Sequence, residues 1–361
     1  MKILQFIYSL APGGAERFVV DLANELARNN EIILYVLRDE EIDNYGFYKP
    51  DVNGNVAYVN MKIRPGFNLL LIRSFYNIIR KERPDVVHCH QNLVIYFFIL
   101  SILYSKRIRF IYTLHNSAQK EVKSKIERLI RRFFFKRNLI IPVAISDQTK
   151  SSYESYYRLH NAPVIYNGRS IPQKSAKFEG ILREIHALKP TLGTLLFCHI
   201  GQYHEQKNQK MLISVFKKLI DEGYDVALTI IGSGFENASE LKEIANNFTH
   251  FLGVRNNIAD YLYASDAFCL SSRYEGMPIT LIEAFACGCV PICTPVGGIV
   301  DVIEEGVTGF ISESVGESDY YKAIKKFINQ GKEIDRNRLV NYYHENLGIE
   351  KCAREYIKLY K

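Results

Sequence analysis

No stretch of this chain is apolar for long enough to cross a bilayer. The longest candidate, residues 93–104, falls well short of the roughly 20 residues that a spanning helix requires. The opening Met1-Lys2-Ile3-Leu4-Gln5-Phe6-Ile7 carries no cleavage site, so it reads as a first buried strand and not as a signal peptide. Seven cysteines occur (Cys89, Cys198, Cys269, Cys287, Cys289, Cys293 and Cys352), and no two form a C-x-x-C pair. Cys287, Cys289 and Cys293 lie close together, but the first ends a helical pattern and the others flank Val290-Pro291-Ile292. They read as small buried hydrophobes. No metal is expected on them, and an odd count without framework spacing fits a reducing compartment. The G-x-G-x-x-G pattern is missing, so a dinucleotide site is not indicated. No internal repeat stands out, and no nucleic-acid-binding motif accompanies the positive charge, so no nucleic acid is expected as a partner. The expectation is a cytoplasmic protein, with peripheral attachment at the inner face of the membrane as the lipid contact open to it.

What is present suits two packed domains. The chain has 361 residues, 47% hydrophobic and 24% charged, which is long for one domain and comfortable for two. In the first half, strand-like runs at residues 3–8, 31–37, 56–59, 85–88, 110–114, 140–145 and 164–166 alternate with helical patterns at 15–28, 67–82 and 93–104. Residues 168–177 are polar and contain Pro172, as a linker would. The alternation then restarts, with strands at 195–200, 227–231, 249–252 and 266–270 and helices at 208–222, 239–246 and 258–264. Such alternation predicts an α/β fold with parallel sheets covered on both faces. The expected organisation is a first domain over 1–168, a linker over 169–177, a second domain over 178–344 and a terminal helical segment over 345–361. Two Rossmann-like, doubly wound domains facing across a cleft would bind ligands at the carboxyl ends of their strands.

Much of the net charge of +7 falls in one place. Lys120, Lys123, Lys125, Arg128, Arg131, Arg132, Lys136 and Arg137 stand against only Glu121 and Glu127. Val122, Ile126, Leu129, Ile130 and Phe133 follow helical spacing among them, so residues 120–137 predict one basic amphipathic helix. Two readings follow: a peripheral contact with anionic membrane, or a helix packed on its own domain by its apolar stripe with a solvated basic face.

Residues 271–294 are the most informative segment. A buried strand leads into a polar loop, then Glu275, Gly276, Met277 and Pro278, then a helix that Gly288 stops. Pro278 suits a first helical position, which makes Met277 the expected N-cap. Met277 has no side-chain oxygen, so the first-turn N–H groups are left for an anion such as a phosphate. Glu275 and Glu283 stand in a Glu-x7-Glu spacing; one carboxylate suits a sugar near the loop and the other a ribose diol. Gly13 and Gly14 follow the first strand and open a helix, letting backbone approach a ligand. Lys207, after the strand ending in Ile200-Gly201-Gln202, can neutralise a diphosphate. His115 ends a strand. His88 and His90 share one strand face, with no third metal ligand evident.

This pattern resembles the retaining GT-B glycosyltransferases of family 4, most strongly from Ile200 to Glu313 and more loosely over nearly the whole chain. The resemblance implies two Rossmann-like domains and transfer of a sugar from a nucleotide-diphosphate sugar to a glycan or lipid-linked acceptor. It further implies retention of configuration, no cofactor and no metal, and a place in cell-surface polysaccharide synthesis. On it, Glu275, His115 and Lys207 are the catalytic residues. Gly13, Gly14, Gly201, Gln202, Gly232, Gly234, Arg255, Gly276, Met277, Pro278 and Glu283 bind the donor, with Glu283 on the ribose and Gly276 to Pro278 at the diphosphate. His90 is assigned to the acceptor, and the segment 294–298 is structural or near the phosphate. In the proposed front-face mechanism, a leaving-phosphate oxygen takes the acceptor's proton. The family usually carries an arginine where this chain has Gln202, which removes one cation from the diphosphate clamp. Two rivals share the fold: a sugar-nucleotide 2-epimerase, and a non-catalytic membrane- or glycan-binding subunit.

Overall fold

A computed structural model describes every residue except Asp39, Asp43, Pro65 and Phe67, together with all side chains of helices and strands except that of Lys332. The chain forms two compact units, Met1–Ser170 with Leu347–Lys361, and Ile171–Asn346. Each is built on one parallel sheet, as strand–helix alternation requires.

The first unit contains strands β1 (Lys2–Ile7), β2 (Glu31–Val36), β3 (Val56–Asn60), β4 (Val86–His90), β5 (Arg109–Leu114) and β6 (Ile141–Ala144). They lie in the order β3-β2-β1-β4-β5-β6, with β1 in register between Ile3↔Ile32 on one side and Ile3↔Val86 on the other. Ile3, Leu4, Phe6 and Ile7 are all fully buried, because helices cover both faces and leave no polar side to the strand. The covering helices are α1 (Gly14–Leu26), α2 (Leu70–Glu82), α3 (Phe98–Tyr104), α4 (Ala118–Glu121), α5 (Lys125–Lys136) and α6 (Asp147–Tyr157).

The second unit repeats the plan. It has α7 (Phe178–His186), β7 (Leu195–Ile200), α8 (Gln209–Asp221), β8 (Val226–Ile231), α9 (Ser239–Ile244), β9 (Thr249–Gly253), α10 (Ile258–Ala264), β10 (Ala267–Leu270), α11 (Ile279–Ala286), β11 (Val290–Cys293), β12 (Phe310–Ile311), α12 (Glu317–Gln330) and α13 (Arg336–Tyr342). The sheet order is β12-β11-β10-β7-β8-β9. The last helix, α14 (Ile349–Tyr360), belongs to the first unit. A buried chain of hydrogen bonds ties it to the sheet: Tyr360 hydroxyl to His88 Nδ1 at 2.7 Å, His88 Nε2 to Thr113 Oγ1 at 2.8 Å, and Thr113 to the Tyr356 hydroxyl at 2.7 Å. His88 therefore serves packing, with both ring nitrogens occupied.

Four local expectations change. Helix α2 begins at Leu70, and the expected start at Phe67 lies outside the described residues. Residues 93–104 do not form one helix: a 3-10 segment, Gln91–Phe97, precedes α3. Residues 164–166 make only an isolated bridge, Ala144↔Val164, through the Pro163 carbonyl and the Ile165 N–H. The single basic helix over 120–137 is broken into α4 and α5. Buried Val122 is extended between them, and Ser124 caps α5 by accepting from the Glu127 N–H at 3.4 Å. The face of α5 is also inverted: Arg131, Phe134 and Phe135 are buried, whereas Ile126, Leu129, Ile130 and Phe133 are exposed. The rotation is held by Arg131, which bonds the Tyr112 hydroxyl at 3.0 Å and Asn92 at 3.0 Å, while Glu127, one turn earlier on the same helix, matches its charge at 2.6 Å.

Burial holds His88 down to about 3, His115 and His199 to about 4, and His90 well below its ordinary value. The unfolded chain, with histidines near 6.5, binds more protons, so stability is full above about pH 6.5 and falls as pH drops toward 4. Each such ring contributes up to about 1.4 kcal/mol of loss per pH unit. Glu16 and Glu121, raised by burial, oppose this in the lower part of the window. Urea unfolding at pH 7.5, 6.5 and 5.5 should show a steep decline below 6.5; constant stability would mean that the folded rings accept protons.

Candidate functional site

The second unit gathers most of the expected donor residues at the carboxyl end of its sheet. β10 ends at Leu270, and the loop that follows carries Glu275 into α11. The Glu275 side chain is 7% exposed and bonded on both oxygens. Oε1 accepts from Lys207 Nζ at 2.8 Å and Ser272 Oγ at 2.6 Å, and Oε2 accepts from Gln206 Nε2 at 3.4 Å. Gln206 Nε2 also donates to the Tyr274 carbonyl at 2.9 Å. A carboxylate removed from water requires such partners. The loop geometry is thus set by a charge pair between Lys207 and Glu275, two residues expected at different parts of one ligand.

Helix α11 starts one residue later than expected. Pro278 is the N-cap, supplies no side-chain bond, and no acid stands in the first turn. Met277 therefore precedes the cap, while the uncapped, acid-free helix start is retained. Glu283 is buried within α11, and Gly288, in the left-handed region at φ +65°, ends the helix. The turn after β11 closes on the Glu275 loop: the Gly298 N–H donates to the Gly276 carbonyl at 2.6 Å. Gly297 has φ +60°, and a Cβ there would lie 2.4 Å from the Gly276 carbonyl oxygen and 2.5 Å from that of Glu275. Only glycine fits.

The neighbouring turns close in the same way. Gly232 has φ +151°, and a Cβ would sit 2.1 Å from the Gly201 carbonyl oxygen. The aliphatic stem of Lys207 runs beside Gly201, its Cε 3.6 Å from where a Cβ would stand. Gly234, at φ +89°, abuts Tyr203. Beneath them, His199 bonds the Cys269 carbonyl at 2.9 Å and the Gln209 amide at 3.2 Å, and that amide donates to the Gln202 carbonyl at 2.9 Å. The Gln202 side chain itself is exposed. Arg255 follows the end of β9, its Nε donating to the Tyr261 hydroxyl at 2.8 Å.

The first unit gathers Gly13, Gly14 and His115. Gly13 caps α1 in extended backbone, and Gly14 begins the helix. Glu16 in the first turn accepts from Gln91 Nε2 at 2.7 Å, which ties the glycine loop to the end of β4. There His90 Nδ1 lies 3.0 Å from His115 Nε2, and the Phe18 ring packs 5.8 Å from His115. His90 Nε2 is buried with no hydrogen-bond partner. Among the described residues, no group of three or more His, Cys, Asp or Glu side chains is placed to hold a metal ion. All seven cysteines are free and buried.

Several supporting residues escaped the sequence reading. Glu121 accepts from the backbone N–H groups of His115 at 2.8 Å and Asn116 at 3.1 Å, and from the Tyr112 hydroxyl, which also bonds Arg131. It fixes the loop that presents His115. Gln206 and Ser272 do the same for Glu275. No spacing rule marks Gln206, because its bond to Glu275 joins separate turns, whereas Ser272 and Glu121 act within their own loops; Ser124-Lys125-Ile126-Glu127 carries a helix-capping pattern.

Two family models match the chain: Glycosyltransferase Family 4 over residues 12–171 and Glycosyl transferases group 1 over residues 183–345. The chain is 25% identical over 311 residues to the N-acetyl-alpha-D-glucosaminyl L-malate synthase of Bacillus anthracis, covering 82% of this chain and 79% of that protein. It is 24% identical over 333 residues to the UDP-Gal:alpha-D-GlcNAc-diphosphoundecaprenol alpha-1,3-galactosyltransferase of Escherichia coli, covering 87% and 84%. Among solved structures, Anabaena HepE in complex with UDP-glucose matches with a TM-score of 0.79 at 18% identity, covering 99% of each chain.

Gly297→Ala should destabilise the second unit by more than about 1 kcal/mol, because alanine is strained at positive φ, and should displace the Glu275–Gly276 backbone. Thermal unfolding and a crystal structure of the variant check both; an unshifted loop would show that the close approach is dispensable.

Proposed function

The chain belongs to glycosyltransferase family 4, has the GT-B fold and is a glycosyltransferase using a sugar-nucleotide donor; from that premise we propose that its second unit holds the donor and that transfer retains configuration without a metal. The observation that carries the reading is the convergence of Lys207, Glu275 and the uncapped start of α11 on one loop system. Glu283 takes the ribose diol, the backbone of Gly276 to Pro278 and the first turn of α11 take the diphosphate, and Glu275 orients the transferred sugar. His115 is assigned to the sugar, and the glycine loop at Gly13 and Gly14 to the donor's approach.

The chemistry follows from charge. As the glycosidic bond to the diphosphate lengthens, negative charge grows on the leaving phosphate and positive charge on the sugar ring. Lys207 stabilises the first, and the Glu275 carboxylate, fixed by Ser272 and Gln206, faces the second. Gln202 offers no charge, so Lys207 and the helix-end amides carry the phosphate between them. The phosphate oxygen then accepts the acceptor hydroxyl's proton. The relatives differ in acceptor, one naming malate and the other a diphosphoundecaprenol-linked sugar. A glycan or lipid-linked acceptor, in cell-surface polysaccharide synthesis, is the reading favoured here.

A thermal-shift screen across UDP, GDP, ADP and CMP identifies the base, since a ligand held only by the native state raises the melting temperature. Glu283→Ala should remove most of that shift by deleting a charged acceptor worth about 1.5–3 kcal/mol; an unchanged shift with the fold intact takes Glu283 out of the site.

Lys207→Ala should lower kcat by about 10²–10³, the range for losing a charge-stabilising group, more than it weakens donor binding. EDTA should leave turnover nearly unchanged. A kcat within about twofold of wild type, or an EDTA loss restored by Mg²⁺ or Mn²⁺, would place charge stabilisation elsewhere.

A further inference from the structure

The outer faces of α3 and α5 are apolar where a surface helix is ordinarily polar. On α5, Ile126, Leu129, Ile130 and Phe133 are 73%, 61%, 41% and 43% exposed. On α3, Ile99, Ile102 and Leu103 are 55%, 53% and 62% exposed. Each set recurs at i, i+3 and i+4, the spacing that ordinarily packs inward. Single exposed apolar side chains need no explanation, but stripes on two adjoining helices do. The helices adjoin through Phe98 and Phe134, whose rings stack at 4.5 Å. The stripe on α5 cannot be turned inward cheaply, because rotation would strip buried Arg131 of its bonds to Tyr112 and Asn92 and take its guanidinium away from the polar partners that match it.

The rim of this face is basic. Lys106, Arg107, Lys123, Lys125, Lys136 and Arg137 are all exposed. The acids of the segment are engaged inward, Glu121 with backbone amides and Glu127 with Arg131. The Arg137 guanidinium lies 3.9 Å from the Phe133 ring centroid, leaving its charge at the border of the apolar stripe. Apolar side chains flanked by long cationic ones match a bilayer surface, where the stems lie along acyl chains and the charges meet anionic headgroups. Both helices also start from the end of the sheet that carries His90 and His115, α3 after β4 and α5 after β5.

We propose that the outer faces of α3 and α5 insert into an anionic phospholipid bilayer, the stripes entering the acyl region and the six rim cations meeting the headgroups. The inference goes beyond the sugar-transfer reading and does not depend on it. It also replaces purely electrostatic adsorption: Arg131 is interior, and Arg132 donates to the Tyr157 carbonyl at 2.7 Å, so neither is free for lipid.

The chain contains no tryptophan, so Phe133→Trp creates a single emitter on the face. With phosphatidylglycerol-containing vesicles its emission should shift to the blue and be quenched by brominated acyl chains, with little change on pure phosphatidylcholine. Leu192→Trp, on an exposed residue of the other unit, should stay unquenched. The triple variant Ile102→Gln, Leu129→Gln, Phe133→Gln should lower vesicle co-sedimentation about tenfold or more, while its melting temperature and nucleotide-induced thermal shift stay those of wild type. High salt should weaken wild-type binding without abolishing it. Absence of quenching with binding fully lost in salt would reduce the contact to adsorption and overturn insertion. A dimer in sedimentation that the triple variant loses, without vesicle binding, would make the face an interface between copies. Failure of the nucleotide screen would leave this result untouched.

Discussion

A charge removed from water must find partners within the protein, and this requirement organises the carboxyl end of both sheets. In the second unit the Glu275 carboxylate draws in Lys207, Ser272 and Gln206, which lie on two separate turns. In the first unit the Arg131 guanidinium draws in Glu127, Tyr112 and Asn92, and Tyr112 passes the constraint to Glu121. Removing one partner of such a pair leaves an uncompensated buried charge, which costs about 3–5 kcal/mol. The loops can therefore vary little without breaking these contacts.

The glycine turns follow from the same crowding. Once the Glu275 loop is drawn down, the Gly276 carbonyl meets the Gly298 amide, and there is no space for a side chain at Gly297. Gly232 plays the equivalent part against Gly201. These positions hold the backbone of both turns still; under the proposed function, charge stabilisation there would require little reorganisation when a bond breaks. The helix start at α11 adds fixed amides without a side-chain cap.

The inverted helix α5 shows where sequence patterning misleads. Its apolar spacing is real, and ordinary reasoning turns that face toward the core. The structure turns it outward because the opposite face carries Arg131, Phe134 and Phe135, whose combined burial and hydrogen bonding outweigh that of the stripe. Apolar periodicity reports that one face is amphipathic; it does not report which medium that face meets. The break at Val122 has a local cause in the Ser124 cap, a signal that the basic run obscured.

The sequence by itself determined the two parallel α/β units, because burial on both faces forces apolar strands and the intervening segments carry helical period. It also determined the strand-end glycines and the Glu-x7-Glu segment, because these depend on local backbone and on spacing within one loop and helix. Tertiary structure alone decided that Lys207 pairs with Glu275 and that His88 locks α14 to the sheet. The residues in these contacts are brought together only when separate crossovers place them at the same sheet or sheet end. Periodicity along the chain carries no record of which distant turn will supply the matching charge or hydrogen bond.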